Sequence, residues 1–172
     1  SSTMYKILAI SLVLLVSFFN FSYADQKIAF INIDEIVNGS DFGKKIFKKI
    51  DKDYEKEKRK KIKIEKSLIT KEQEILKQKN ILSEEELNNK VANLKKEIND
   101  FQKQRSSTNE KFNKMKLDKT NYMIQNLNTI LSKYADENEI SLIVQKKYIV
   151  IGKANLDITD KILDIFNKEV KN

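Results

Sequence analysis

The stretch NILSEEEL, Asn80 to Leu87, separates two long helix-forming segments. Ser83 followed by Glu84-Glu85-Glu86 has the form of a capping box, in which a Ser side chain accepts from the third amide of a new helix and the Glu there reaches back. The acidic first turn suits the positive end of a helix dipole. A helix therefore restarts at Ser83, and the link Asn80 to Ser83 is short enough to fold the two helices into an antiparallel hairpin.

Upstream, from Lys44 to Leu82, there is neither Gly nor Pro, and apolar residues recur at Phe47, Ile50, Tyr54, Ile64, Leu68, Ile75 and Leu82. Glu57, Lys61, Lys71 and Gln78 take the intervening core-type positions. Such an incomplete stripe can zip to one partner helix without filling a dense core. Downstream, Leu87, Val91, Leu94, Ile98 and Phe101 step by 4, 3, 4 and 3, a heptad run. After a polar stretch from Arg105 to Asn109, the pattern resumes at Phe112 and Met115 and shifts phase at Met123, Leu127, Ile130 and Tyr134. That shift predicts local overwinding or a bend. Ser40 is the expected N-cap of the first arm helix, and Asp34 to Asn38 a separate short turn. At about 1.5 Å per residue the arm helices reach about 60 and 80 Å.

The two ends of the chain encode a base for this arm. Lys27–Ile33 (KIAFINI), Ile140–Val144 (ISLIV) and Tyr148–Ile151 (YIVI) read as strands, with Gln145-Lys146-Lys147 as a turn. Asp157 is the expected cap of a last helix bearing Ile158, Ile162, Leu163, Phe166 and Val170. Ile28 and Phe30 point to one face of the first strand, and Ala29, Ile31 and Ile33 to the other. One short helix cannot cover both faces of a three-stranded sheet. Association with other copies through Ile28, Phe30, Ile31, Ile33, Leu142, Ile143, Val144, Ile149 and Ile151 is therefore expected, against a monomer whose arm roots close over the sheet. The fold class is α+β, mostly helical: residues 25–41 and 136–172 form a β-stranded oligomerisation base, and residues 42–135 a long antiparallel coiled-coil hairpin arm.

Charge is concentrated in the arm. The segment YEKEKRKKIKIEK, Tyr54 to Lys66, holds seven Lys or Arg against three Glu. Lys44 to Ala135 holds 25 Lys or Arg against 14 Asp or Glu, a formal +11. A nucleic-acid arm is one reading of such a block, but the N-terminus argues for export. Met4-Tyr5-Lys6, an apolar run from Ile7 to Phe21 and Ser22-Tyr23-Ala24 have the order of a secretory signal peptide over residues 1–24, with cleavage between Ala24 and Asp25. The apolar run is short for a membrane span of about 20 residues; an uncleaved N-terminal anchor is the alternative. An exported protein meets lipid head groups and acidic proteins rather than nucleic acid. The chain contains no Cys and no His, so it has neither disulfides nor the usual nucleophile and general base, and it lacks a Gly-rich phosphate loop. No catalytic residue, cofactor site or metal site is expected. Asp51 with Asp53 and the triplet Glu84 to Glu86 read as charged helix surface and helix start.

The order of strand, long hairpin, two strands and terminal helix resembles the Skp (OmpH) family of periplasmic chaperones. The resemblance rests most on KIAFINIDEI at Lys27 to Ile36 and on ENEISLIVQKKYIVIGKANLDITDKILDIFNK at Glu137 to Lys168. It implies a homotrimer whose strands build a body from which three arms enclose a cavity. That cavity would hold unfolded outer-membrane β-barrel proteins in the periplasm without ATP and keep them from aggregating. A basic cavity would attract acidic unfolded chains through weak contacts. Lys58, Arg59, Lys61 and Lys63, with the apolar Ile62, Ile64 and Ile69, are the client-contact candidates, and an anionic lipid surface is a further candidate partner. The competing expectation is an envelope coiled-coil spacer or tether without chaperone activity, whose arms would zip tightly along their length.

Overall fold

The computed structural model describes residues 2–6 and 25–171. Of the expected signal segment only residues 2–6 are described, so its apolar run and Ala24 lie outside the described residues, and Asp25 opens the described base. Strand β1 (Lys27–Ile31) leads into helix α1 (Ile33–Gly39), and helices α2 (Asp41–Gln78) and α3 (Glu84–Glu137) form the arm. Strand β2 (Ile140–Gln145) follows, then two 3-10 turns (Lys146–Tyr148 and Ala154–Leu156) and helix α4 (Thr159–Glu169). The two strands pair in parallel, Ile28 with Leu142 through Ile31 with Gln145, with an irregularity between Lys27 and Ile28. Parallel neighbours need a crossover connection, and here the whole arm supplies it.

The capping box forms as its sequence requires. Glu86 N–H donates to Ser83 Oγ at 3.2 Å, and Ser83 N–H donates to the Glu86 carboxylate at 3.2 Å. At the root, Ser40 closes α1 by donating to the Ile36 carbonyl at 3.1 Å and opens α2 by accepting from Gly43 N–H at 3.1 Å. Ser40 is fully buried between the two helices. Gly43 is needed there because a Cβ would collide with the Val37 carbonyl.

The core sits where the arm roots meet the base. Ala29 and Ile31 of β1, Ile36 and Val37 of α1, Phe42 of α2, Met123, Leu127 and Ile130 of α3, and Ile162 and Phe166 of α4 form one buried cluster. Asn167 Oδ1 accepts from Asp41 N–H at 2.9 Å, tying α4 to the first turn of α2. Ile158 N–H donates to the Phe30 carbonyl at 3.0 Å, and Thr159 Oγ1 accepts from Asn32 N–H at 3.0 Å.

Three expectations are corrected. Ile33 starts α1 rather than ending a strand, because Asn32 Oδ1 accepts from Glu35 N–H at 3.2 Å and caps the helix. The segment Tyr148–Ile151 is not a third strand. Lys146 to Tyr148 form a 3-10 turn, and the chain passes over Phe30 so closely that a Cβ on Gly152 would lie 2.9 Å from the ring. A segment held over the sheet face cannot fold back beside β2. Helix α3 runs unbroken through the phase shift. Lys119 and Thr120 are half-buried between Phe112 and Met123, so the seam advances eleven residues in three turns. That repeat, about 3.67 per turn, unwinds the pairing rather than overwinding it.

Two substitutions test the root in opposite directions. Gly43→Ala is expected to destabilise by about 1–3 kcal/mol by overpacking against backbone. Glu139 has φ 56° between α3 and β2, so Glu139→Gly is expected to stabilise by about 1 kcal/mol. Urea unfolding followed by circular dichroism reads both; equal midpoints would refute this packing of the root.

Candidate functional site

Specific cross-contacts set the register of the arm. Lys116 Nζ lies 2.9 Å from Asp51, Lys71 Nζ 2.7 Å from Glu97, and Lys90 Nζ donates to Gln78 at 2.9 Å. In these three pairs the residue numbers sum to 167 or 168. The Tyr54 and Phe112 rings meet edge to face at 5.4 Å, and Tyr54 Oη donates to Asn109 at 3.3 Å. The buried apolar residues of the seam beyond the root are few: Ile50, Leu68, Phe101 and Phe112. Glu57, Lys61 and Gln78 are half-buried in it. Ile64, expected in the seam, is exposed, because Lys61 and Leu68 take the inward positions on either side of it.

The two sides of this seam differ. On one side a groove of about 190 Å³ is floored by Tyr54 and Phe101, with Ile62 on its wall and Lys58, Lys61 and Arg105 around it. It continues tipward past Glu65, Leu68 and Ile69 to Glu72. On the other side a groove at Phe112 and Met115 is bordered by Asp53, Glu57, Lys56 and Lys111, two charges of each sign. Lys60, at 3.1 Å, holds the Glu57 carboxyl below its ordinary value through a hydrogen bond and its charge.

Four of the seven sequence candidates, Lys58, Lys61, Ile62 and Ile69, therefore share one side of the arm. Arg59 and Lys63, one turn apart, are exposed and border neither groove. The structure adds Phe101 and Arg105, which sequence reasoning had as seam and polar stretch. The observed register, with residue numbers summing to 167 or 168, sets Arg105 opposite Ile62, whereas counting outward from the Asn80–Ser83 link would have set Phe101 there.

The base carries the second candidate surface. Ile28, Leu142 and Tyr148 are exposed, and Val150 and Ile151 are 96% and 91% exposed. Ile33, Ile143, Val144 and Ile149 are half-buried, whereas Phe30 and Ile31 are buried by their own chain. Asp157 holds the segment that presents Val150 and Ile151. It accepts from Lys146 Nζ at 3.2 Å and from Thr159 N–H at 2.9 Å, and the Thr159 hydroxyl donates to it as well. It thus serves the first turn of α4 from just outside the helix.

No curated protein matches the chain. The family of outer membrane proteins described as OmpH-like matches residues 27–166. The chain belongs to the OmpH-like family. The matched span includes both strands, the whole arm and most of α4. A solved structure of a Caulobacter crescentus CB15 protein, described as a candidate outer membrane chaperone (OmpH-like), superposes on this OmpH-like chain with a TM-score of 0.77. The match covers 87% of this chain and 88% of that one at 15% identity, so the two share the fold of helical arm and stranded base.

Among the described residues no cluster of acidic side chains is arranged to hold a metal ion, and no helix is long and apolar enough to cross a membrane. Burial pushes the Asp157 carboxyl upward, but hydrogen bonds from Thr159 and Lys146 outweigh it and leave it below the ordinary value of 3.8. A depressed folded-state value adds stability above the ordinary one and loses it as pH falls through the folded value. Asp157→Asn is therefore expected to melt below the parent at pH 7, with the gap closing under acid below about pH 3.8. A gap that is constant with pH would remove the carboxylate from this role.

Proposed function

We propose that this OmpH-like chain is an ATP-independent holdase of the periplasm that binds unfolded outer-membrane β-barrel proteins between projecting arms. The observation that carries the reading is the arm surface, net +11 overall, on which Ile62 and Ile64 are exposed among the cations of the root half and Ile69, Leu76 and Ile81 are exposed toward the tip. Scattered apolar side chains in a basic field give many weak contacts with no preferred pose. Contacts of that kind retain an unfolded chain without imposing structure on it, and no chemical step is involved. Seam positions taken by Glu57, Lys61 and Gln78 leave the hairpin little apolar contact to lose on adapting to a client.

The reading includes a homotrimer joined through the base, whose exposed Leu142, Val150 and Ile151 need a cover that the described chain does not supply. It places the mature start at Asp25, names no nucleic-acid partner, and keeps an anionic lipid surface as a secondary contact for the basic arm.

Mass measurement of the purified protein alone, and with one urea-unfolded outer-membrane barrel protein, tests this together with light scattering of the diluted client. A trimer that takes up one client and suppresses scattering is expected. A trimer that leaves the client to aggregate would be an envelope spacer or tether instead. In the same assays Leu142→Asp with Val150→Asp should dissociate the assembly while keeping helix content, since burying unpaired carboxylates costs several kcal/mol and both residues are exposed on their own chain. Unchanged sedimentation would place assembly elsewhere.

A further inference from the structure

The arm charge is not spread evenly. Residues 44–66 and 101–135, the root half, hold 19 Lys or Arg against 7 Asp or Glu, whereas residues 67–100, the tip half, hold 6 against 7. The register pairs these segments with each other, so the root half carries a formal +12 and the tip half −1. Inside one groove the root end carries Lys58, Lys61 and Arg105 against Glu65, and the tipward end adds Glu72 without a further cation.

None of those three cations forms an ion pair among the described residues, and the groove on the opposite side is charge-balanced. The floor between them is Phe101 and Tyr54. A volume of about 190 Å³ is below the roughly 300 Å³ at which small-molecule sites begin and suits single side chains of a chain laid along it. From Lys58 to Glu72 α2 rises about 21 Å, the span of about six residues of extended chain.

We propose that this groove is the primary capture site of the arm, and that it takes extended segments of about six residues in which apolar side chains alternate with carboxylates, the acidic end toward the root. Apolar side chains seat on Phe101 and Ile62, and carboxylates at neighbouring positions reach the long cationic side chains, whose stems pack on the apolar surface while their heads stay wet. Unfolded barrel strands, with apolar residues at every second position, supply that pattern where their polar positions are acidic. The proposal rests on the holdase reading and narrows it to a client class and a place.

The test uses the full chain and a labelled ten-residue peptide alternating Val or Phe with Asp or Glu, beside a counterpart with Lys at the acidic positions. Fluorescence anisotropy is read for the parent, for Lys61→Gln with Arg105→Gln, and for the tip control Lys77→Gln with Lys79→Gln, which removes the same charge. Gln keeps helix propensity close to that of Lys and Arg, and circular dichroism confirms it. The root variant is expected to bind the acidic peptide roughly ten-fold more weakly, the loss of about one charge-assisted contact, and to lose most of its salt dependence. The control should stay within about two-fold of the parent on the same scale, and the Lys peptide should bind poorly to all three. Equal losses in root and tip variants, or equal affinity for the two peptides, overturn the capture site. Client aggregation measured on the same proteins separates the two claims. Suppression retained with no root preference defeats the site alone, and root preference without suppression upholds the site and defeats the holdase.

Discussion

The parallel pairing of Lys27–Ile31 with Ile140–Gln145 is the constraint on which the rest depends. Its strands are separated by more than a hundred residues. Closing so long a flexible loop costs about 4 kcal/mol in its length-dependent term alone, and five paired positions in a two-stranded sheet recover little. The hairpin removes the difficulty. Once α2 and α3 lie side by side, Phe42 and Leu127 already stand in one core, and the strands leave from adjacent roots. The Ser83 cap and the cross-arm contacts thus act on the base at the far end of the molecule, by making a distant pairing local.

The same design explains why the arm is loosely filled. Tight packing is needed only where the roots, the strands and α4 meet, and there Met123, Leu127, Ile162 and Phe166 are fully buried. Beyond the root the helices persist because Lys, Glu, Gln and Leu are strong helix formers. Their exposed ion pairs, Lys71 with Glu97 and Lys116 with Asp51, fix register and add at most about 1 kcal/mol each. An arm held by propensity and register can carry half-buried Lys61 and Glu57 where a rigid coiled coil would need Leu.

What the sequence revealed was what local chemistry decides. The capping box, the N-cap at Ser40, the Leu87 to Phe101 heptads and the long helices are all written within one or two turns of chain. Two of the three predicted strands formed, but their parallel pairing with each other is set by the arm crossover and was not written in either segment. The third was misread because YIVI has strand composition, and its fate depends on tertiary ties, the Lys146–Asp157 ion pair and the passage of Gly152 over Phe30. Ile33 was misread for a smaller reason: Asn32 reads as a residue within a strand until its side chain is seen capping α1. At the arm, composition marked the cations of residues 58–63 but could not say which face each occupies. Arg59 and Lys63 point away from the side that Lys58 and Lys61 share with Phe101.

Charge placement completes the division of labour between the two ends. The arm is +11 while the segments 25–43 and 136–172 hold 7 Lys or Arg against 11 Asp or Glu, so the base is acidic where the arm is most basic. At physiological ionic strength the screening length is about 8 Å, shorter than the distance along the arm from the root to Lys58. The acidic base therefore cannot neutralise the groove at Phe101, although it does repel an acidic segment that comes closer to the root. An acidic extended segment thus meets attraction over the root half of the arm, repulsion at the base, and little net charge from Ser67 to Asp100. Those three zones set a minimum of electrostatic energy part-way along the arm, at the level where the groove over Phe101 and Tyr54 opens beside the exposed Ile62.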